Sequence, residues 1–430
     1  MSRAKEDIKI YERLRSRVMT DNKIKIVFVG HVDHGKSTLI GRLLYNTHSI
    51  AEDKIKDLEK NTLEGKKLDF SFLMDHFEEE RKQGITIDTA QIFFSTSKRK
   101  YVIIDAPGHV EFVVNMITGA AQADAAVLIV DAAEGIQEQT KRHAYILSML
   151  GMKQVVVAIN KIDLVDYSEE KYNAIMTELT AFLKGINIHN VTSVPISSTD
   201  GDNITERSLK TIWFTGKIFI ELLDNIPGGT DLSKQCAVLP IQDVYNINDQ
   251  GKSKRISVGK IEAGNIIEGQ TICVLPSKEY VQIKSIVKYN EAKIHAENGE
   301  CIGITTDKPL FIERGNIVCS MNNDLKIVSH FKATLFWMNT LAVCVGEKLI
   351  LRCSTQEVGC SITEIFKKIN SSTLEKIEAD LSSLNKLEVG EVEIQIKKPV
   401  VISTISDVQA LARFVLLRNN TIVAVGIITD

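Results

Sequence analysis

A chain of 430 residues, 44% hydrophobic and 25% charged, is long enough for about two to four domains with sizeable cores, and its composition excludes wholesale disorder. Its net charge of −3 and pI near 6.4 exclude the broadly cationic surface of a non-specific nucleic-acid binder. No apolar run approaches the roughly 18 to 20 residues that span a bilayer, and the first residues lack the apolar core of a secretory signal, so a cytoplasmic, non-membrane protein is expected.

Residues 1–22 place Ile8, Tyr11, Leu14 and Val18 at helical spacing beside Lys9, Arg13, Arg15 and Arg17. This predicts a basic helical extension, either laid on its own domain or available to a partner. Residues 24–29 read as an apolar strand and 36–44 as a helix, with further strands at 101–105, 125–131 and 154–160. Strands alternating with helix-length segments predict βαβ units and a mostly parallel sheet. After Pro227-Gly228-Gly229-Thr230 the texture changes to short alternating strands at 257–261, 271–275, 282–286 and 301–304, the pattern of antiparallel barrels or sandwiches. Met321-Asn322-Asn323-Asp324 reads as a break between two of them, and residues 414–428 carry the β pattern to the end. The predicted organisation is an extension over 1–22, an α/β domain over 23–229, and β-barrels over 230–323 and 324–430.

The seven cysteines all lie in the second half, an odd number without any C-x-x-C pair. They read as reduced, mostly buried thiols, with Cys353 and Cys360 packed in a barrel rather than bound to metal.

The chemistry concentrates in the first half. Gly30-His31-Val32-Asp33-His34-Gly35-Lys36-Ser37 matches G-x-x-x-x-G-K-[ST] between a strand and a helix, with Thr38 following. Such a loop wraps phosphates with backbone N–H groups. Lys36 reaches the outer phosphates and the Ser37 hydroxyl ligates Mg²⁺. Asn160-Lys161-Ile162-Asp163 ends another strand, and the Asp163 carboxylate matches the ring N–H and exocyclic amine of guanine, which adenine does not present in that arrangement. The nucleotide is therefore expected to be GTP or GDP. Asn160 and the Lys161 stem would hold the loop and cover the ring, and Ser197 would close the base pocket. Asp105-Ala106-Pro107-Gly108-His109 supplies Asp105 to Mg²⁺ through water and Gly108 as a γ-phosphate sensor, while Gly84-Ile85-Thr86 offers Thr86 as a second hydroxyl ligand. Gly264-Asn265-Ile266-Ile267-Glu268-Gly269-Gln270-Thr271 nearly repeats the phosphate loop, but Gln270 replaces its lysine, so it reads as a barrel turn.

These motifs, in this order, resemble the translation-factor-type GTPases, the group containing elongation factor Tu and its eukaryotic and archaeal counterpart. The resemblance implies an α/β P-loop GTPase domain followed by two antiparallel β-barrels. It also implies that His109 orients the attacking water, with Val32 and Ile85 flanking it as an apolar gate.

Within that group, several stretches resemble the GTPase subunit of bacterial sulfate adenylyltransferase. They are Ser37-Thr38-Leu39-Ile40-Gly41-Arg42-Leu43-Leu44-Tyr45, the run from Gln139 through Leu147, Phe331-Lys332-Ala333-Thr334-Leu335-Phe336-Trp337-Met338 and Ile369-Asn370-Ser371-Ser372-Thr373-Leu374-Glu375. Two positions depart from it. His34 and Ala106 stand where many such subunits carry aspartate and threonine, and both forms are closer to elongation factors. No pyrophosphate-loop motif for ATP is present, so the resemblance implies a separate small catalytic subunit that makes adenylyl sulfate while this chain hydrolyses GTP. The rival expectation is an elongation- or release-factor-type GTPase that binds tRNA or the ribosome.

Overall fold

The structure, a computed structural model, describes residues 23–50, 55, 68, 70, 91–105, 123–152, 154–227, 232–249, 252–288, 291–308, 310–378 and 380–429. The chain divides after residue 229 into two compact units.

In the first unit a six-stranded sheet runs β2-β3-β1-β4-β5-β6, formed by β1 (Lys23–Gly30), β2 (Gln91–Ser95), β3 (Lys100–Asp105), β4 (Ala125–Asp131), β5 (Gln154–Asn160) and β6 (Asn190–Pro195). All neighbours are parallel except the edge strand β2, which is antiparallel to β3. Parallel strands need covering on both faces, which is why these read as near-continuous apolar runs; all seven residues of β4 are buried. Helix α1 (Lys36–Asn46) turns Leu39, Ile40, Leu43 and Leu44 onto Ile24, Ile26 and Phe28 of β1. The intervening Val27 and Val29 are buried as well, as a sheet covered on both sides requires. Helix α2 (Glu138–Met149) lies against β1 and β4, α3 (Glu169–Gly185) against β6, and α4 (Phe219–Asp224) joins the α1 side, where Phe219 meets Phe28 edge-on at 6.3 Å.

Because β1 lies between β3 and β4, connections leave it in both directions and open a crevice at the carboxyl ends of the strands, where ligands bind in such sheets. The motif residues that are described sit there: Gly30 ends β1, Asp105 ends β3 and Asn160 ends β5, with Ser197 two residues beyond β6.

The second unit is antiparallel throughout. Strands β7 (Val238–Asp249), β8 (Lys252–Lys260), β9 (Thr271–Leu275), β10 (Glu279–Lys288), β11 (Cys301–Thr306) and β12 (Ile317–Ser320) pair in the ring β9-β12-β7-β8-β11-β10, closed by pairing of β10 with β9. After residues 321–325, β13 (Lys326–Trp337), β14 (Lys348–Cys353), β15 (Gln356–Asn370), β16 (Glu388–Ile402), β17 (Arg413–Arg418) and β18 (Thr421–Ile428) form a second closed barrel, ordered β13-β16-β15-β14-β17-β18. Each barrel has its own apolar core, and closure removes the free sheet edges that would otherwise pair with other chains. A third cluster joins Val238, Cys273, Leu275, Ile317 and Cys319 of the first barrel to Val401, Val408 and Leu411 of the second. The near-repeat of the phosphate loop at 264–271 is a connection into β9, with Gly264 and Gly269 at positive φ.

All seven cysteines are free, four buried and three exposed. Cys353 and Cys360 belong to the second barrel's core, where burial pushes both thiols up to about 12, and no cluster able to hold a metal occurs among the described residues. No helix among the described residues is long and apolar enough to cross a membrane.

Candidate functional site

The phosphate side begins where β1 ends. Gly35 takes φ +83, the left-handed conformation that favours glycine, and a β-carbon there would collide with the side-chain amide of Asn160. Helix α1 then starts with Gly35 as its N-cap and no side chain capping it, so the first-turn N–H groups are presented as an anion site. Lys36 Nζ lies 3.0 Å from Asp105 Oδ1, an ion pair across the mouth of the crevice. Ser37 and Thr38 occupy the first turn of α1, half-buried. Ser37 and Asp105 provide the hard oxygen donors that Mg²⁺ prefers.

Within the loop, His31 and His34 meet edge-on at 5.0 Å, while Val32 is half-buried and Asp33 exposed at φ +63. His34 is fully buried. Its Nδ1 accepts the Asp131 N–H at 3.3 Å, which leaves Nε2 to donate to Glu134 Oε2, also at 3.3 Å. Burial is the largest influence on its pKa and holds it below the ordinary value. The loop is thereby pinned to the end of β4.

The base side is built around Asn160, which is buried. Its Nδ2 donates to the His34 carbonyl at 2.8 Å, and its Oδ1 accepts from the Ser198 N–H at 3.0 Å and the Ser198 hydroxyl at 2.8 Å. One amide therefore ties the phosphate loop to the turn after β6. Lys161, at φ +58, extends to Asp131 Oδ2 at 2.8 Å. Burial alone would raise the Asp131 pKa, but the Lys161 bond and the Ala133 and Glu134 N–H groups outweigh it and hold the carboxylate below its ordinary value. Asp163 is the second residue of a short 3₁₀ turn, partly exposed, and its carboxylate has no hydrogen bond among the described residues. A carboxylate held beside such a framework suits the two N–H donors of guanine. Ser197 is buried, and its Oγ accepts the Asp200 N–H at 3.1 Å, so this hydroxyl caps its own turn while Ser198 makes the link to Asn160.

Sequence reasoning missed four residues. Ser198, Asp131 and Arg42 act through contacts across thirty or more residues of chain, and no local motif announces them. The fourth is His143 on α2, fully buried near Lys36 and Arg142. Burial first, then those two cations, push its pKa down to about 3, and its Nδ1 has no partner among the described residues. Thr86, Ile85, Gly108 and His109, together with the basic extension over 1–22, lie outside the described residues.

Residues 21–232 match the elongation factor Tu GTP binding domain family, and residues 330–429 match the GTP-eEF1A C-terminal domain-like family. Elongation factor 1-alpha of Methanothermobacter thermautotrophicus is 37% identical over 412 residues, covering 95% of this chain and 97% of the relative. Elongation factor 1-alpha of Methanopyrus kandleri is 38% identical, covering 94% and 96%. Sulfate adenylyltransferase subunit 1 of Alteromonas mediterranea is 35% identical, covering 95% and 87%. Similarity at this level along nearly the whole chain, together with a GTP-binding domain and a C-terminal barrel, establishes that the chain belongs to the translation-factor-type GTPases.

Proposed function

We propose that this GTPase holds guanine against Asp163 and the phosphates in the loop from Gly30 to Thr38, and that its nucleotide state is read by a macromolecular partner of the translation apparatus, tRNA or the ribosome. The observation that carries the nucleotide assignment is the Asp163 carboxylate, unbonded among the described residues and standing beside a framework in which Asn160 joins both halves of the site. Lys36 neutralises charge on the outer phosphates, releasing its pairing with Asp105. Asp105, Ser37 and Thr86 would hold Mg²⁺, which would supply positive charge to the phosphates. His109 orients the attacking water, and loss of the γ-phosphate releases Thr86 and Gly108, so that contacts made in one nucleotide state are absent in the other.

The translational partner is favoured by the elongation factor 1-alpha relatives and by one feature of the second unit. An open hollow of about 540 Å³ on the first barrel is lined by Tyr245, Ile247, Ile256 and Val258, with Lys260 and Lys288 at its margin. An exposed aromatic ring and aliphatic walls suit stacking of a nucleobase, and a phosphate would compete with Glu262 and Glu300, which pair with Lys260 at 3.0 Å and Lys288 at 2.7 Å.

A second reading, placed first by the sequence stretches alone, makes the chain the GTPase subunit of sulfate adenylyltransferase, with a pyrophosphate-loop catalytic subunit as partner. The sulfate adenylyltransferase relative at 35% identity supports it. One pair of assays separates the readings. The translational reading expects GTP-dependent binding of aminoacyl-tRNA or ribosome-stimulated hydrolysis. If neither occurs, and co-purification instead yields a partner with GTP-stimulated, sulfate-dependent release of pyrophosphate from ATP, the second reading replaces it.

A further inference from the structure

The turn over residues 197–202 is fastened from three directions, only one of which involves a nucleotide-binding motif. Asn160 holds Ser198, as described. From the phosphate helix, Arg42 sends Nη1 to the Thr199 carbonyl at 3.0 Å and Nη2 to the Asp200 carbonyl at 3.1 Å. Gly201, at φ +89, lets the guanidinium lie flat on the turn, since a β-carbon there would collide with it. From the guanine-loop side, the Tyr167 hydroxyl donates to Asp202 Oδ2 at 2.9 Å and lies 3.2 Å from Asp200 Oδ2. Lys210 then bridges the two carboxylates: Nζ is 3.1 Å from Asp200, 3.2 Å from Asp202 and 2.7 Å from the Tyr167 oxygen. Tyr167 is itself fixed, because its carbonyl accepts the Trp213 indole N–H at 2.9 Å.

Each brace closes a long loop of chain. Arg42 joins the helix that starts at the phosphates to the turn that closes on the base. Tyr167, four residues after Asp163, joins the guanine loop to that same turn through Lys210 and the two aspartates. Without Lys210, the two neighbouring carboxylates would share one hydroxyl and lose their directly bonded cation, leaving the Arg42 charge to offset their repulsion and loosening the turn.

We propose that Arg42, Tyr167 and Lys210 are positioning residues that brace the base-closing turn and thereby set how long guanine nucleotide stays bound. The inference rests on the assignment of the base pocket to Asn160, Asp163 and the turn after β6. Since the brace acts on the base side, it affects GTP and GDP alike and leaves the chemical step alone.

The test uses the full chain, with release of fluorescent GTP and GDP measured by stopped flow beside single-turnover hydrolysis. Lys210→Met and Tyr167→Phe are expected to speed release of both nucleotides about tenfold, the order of one charge-assisted hydrogen bond, with single-turnover hydrolysis within about twofold of the parent. Lys210→Arg should restore slow release. Tyr167→Phe removes a single oxygen, so it keeps the test decisive if the lysine variant folds poorly. Release at the parent rate in both variants, or a change confined to one of the two nucleotides, overturns the brace. Asp163→Asn, run in parallel, separates the two ideas. A switch of preference to xanthosine triphosphate, with unchanged release in the other variants, removes the brace alone, whereas retained GTP preference removes the base pocket and the brace with it.

Discussion

In the first unit the groups that matter chemically stand at the carboxyl edge of a parallel sheet, and several are held in costly states. Lys161 takes a left-handed φ with a side chain attached, and the half-buried His31 and the buried His143 each keep an Nδ1 without a partner among the described residues. In the second unit the buried reactive groups are inert: Cys353 and Cys360 are thiols pushed up to about 12 inside a closed barrel whose strands pair all the way round. Left-handed residues also occur in the second unit, at Leu374 and Leu387 among others. The difference lies in the chemistry of the groups: charged and imidazole side chains gather at the crevice of the first unit, whereas thiols kept protonated by burial fill the barrel cores.

The largest effect should come from the barrel side. Phe414 is buried in the second barrel, edge-on to Phe331 at 5.6 Å and pressed against Gly426. Phe414→Ala should lower the unfolding free energy by about 3–5 kcal/mol in urea titrations. GTP affinity of the folded protein should fall far less than in the next variant, and an equal fall would break the contrast between the units.

Gly35→Ala tests the opposite side. It forces alanine into the left-handed region and displaces the Asn160 amide, and strain of about 1–2 kcal/mol that binding must overcome implies about five- to thirtyfold weaker GTP binding by calorimetry. The melting temperature should move little, and unaltered affinity would show that the phosphate loop is not held in this form.

A third test reads His143 through pH. Its folded pKa of about 3 lies below the ordinary 6.5, so between those values the unfolded chain binds a proton that the folded one does not. Stability is therefore fully present above pH 6.5 and falls below it, by up to about 1.4 kcal/mol per pH unit from this group. His143→Gln should flatten the decline measured between pH 6.5 and 5, and an unchanged slope would show that the ring is not buried neutral.

The smallest effect concerns the thiols. Among the seven, Cys236, Cys301 and Cys344 are exposed and should react with a disulfide reagent in the native protein, whereas Cys273, Cys319, Cys353 and Cys360 should wait for unfolding. Rapid modification of Cys353 or Cys360 would mean that the second barrel opens readily.

Much of this was legible before any coordinates. Strands 125–131 and 154–160 and the β9 strand at 271–275 fall where apolar runs between turn signals put them, and Gly30, Lys36, Asp105, Asn160 and Asp163 all lie at strand ends or helix starts facing one crevice. A phosphate loop is a local device, since its glycines, lysine and hydroxyl must be close in sequence to wrap one ligand. The same locality made the choice of guanine readable from Asp163. The choice between two partners was not readable in this way. Stretches resembling the sulfate adenylyltransferase subunit pulled one way and the elongation factor 1-alpha relatives the other, because packed strands and helices are shared by both branches.

What the sequence by itself determined is the class of the protein and the ligand its motifs serve, since periodicity sets strands and helices and short motifs set phosphate and base chemistry. Only the tertiary structure decided how those motifs are held together. Asn160 joins His34 to Ser198, Lys161 reaches Asp131, and Arg42, Tyr167 and Lys210 converge on the turn over residues 197–202. The bond from Arg42 to Thr199 spans 157 residues, and the one from Asn160 to His34 spans 126. Contacts at such separations are fixed by sheet order and register, which bring remote strand ends side by side, and no local pattern in the sequence records them.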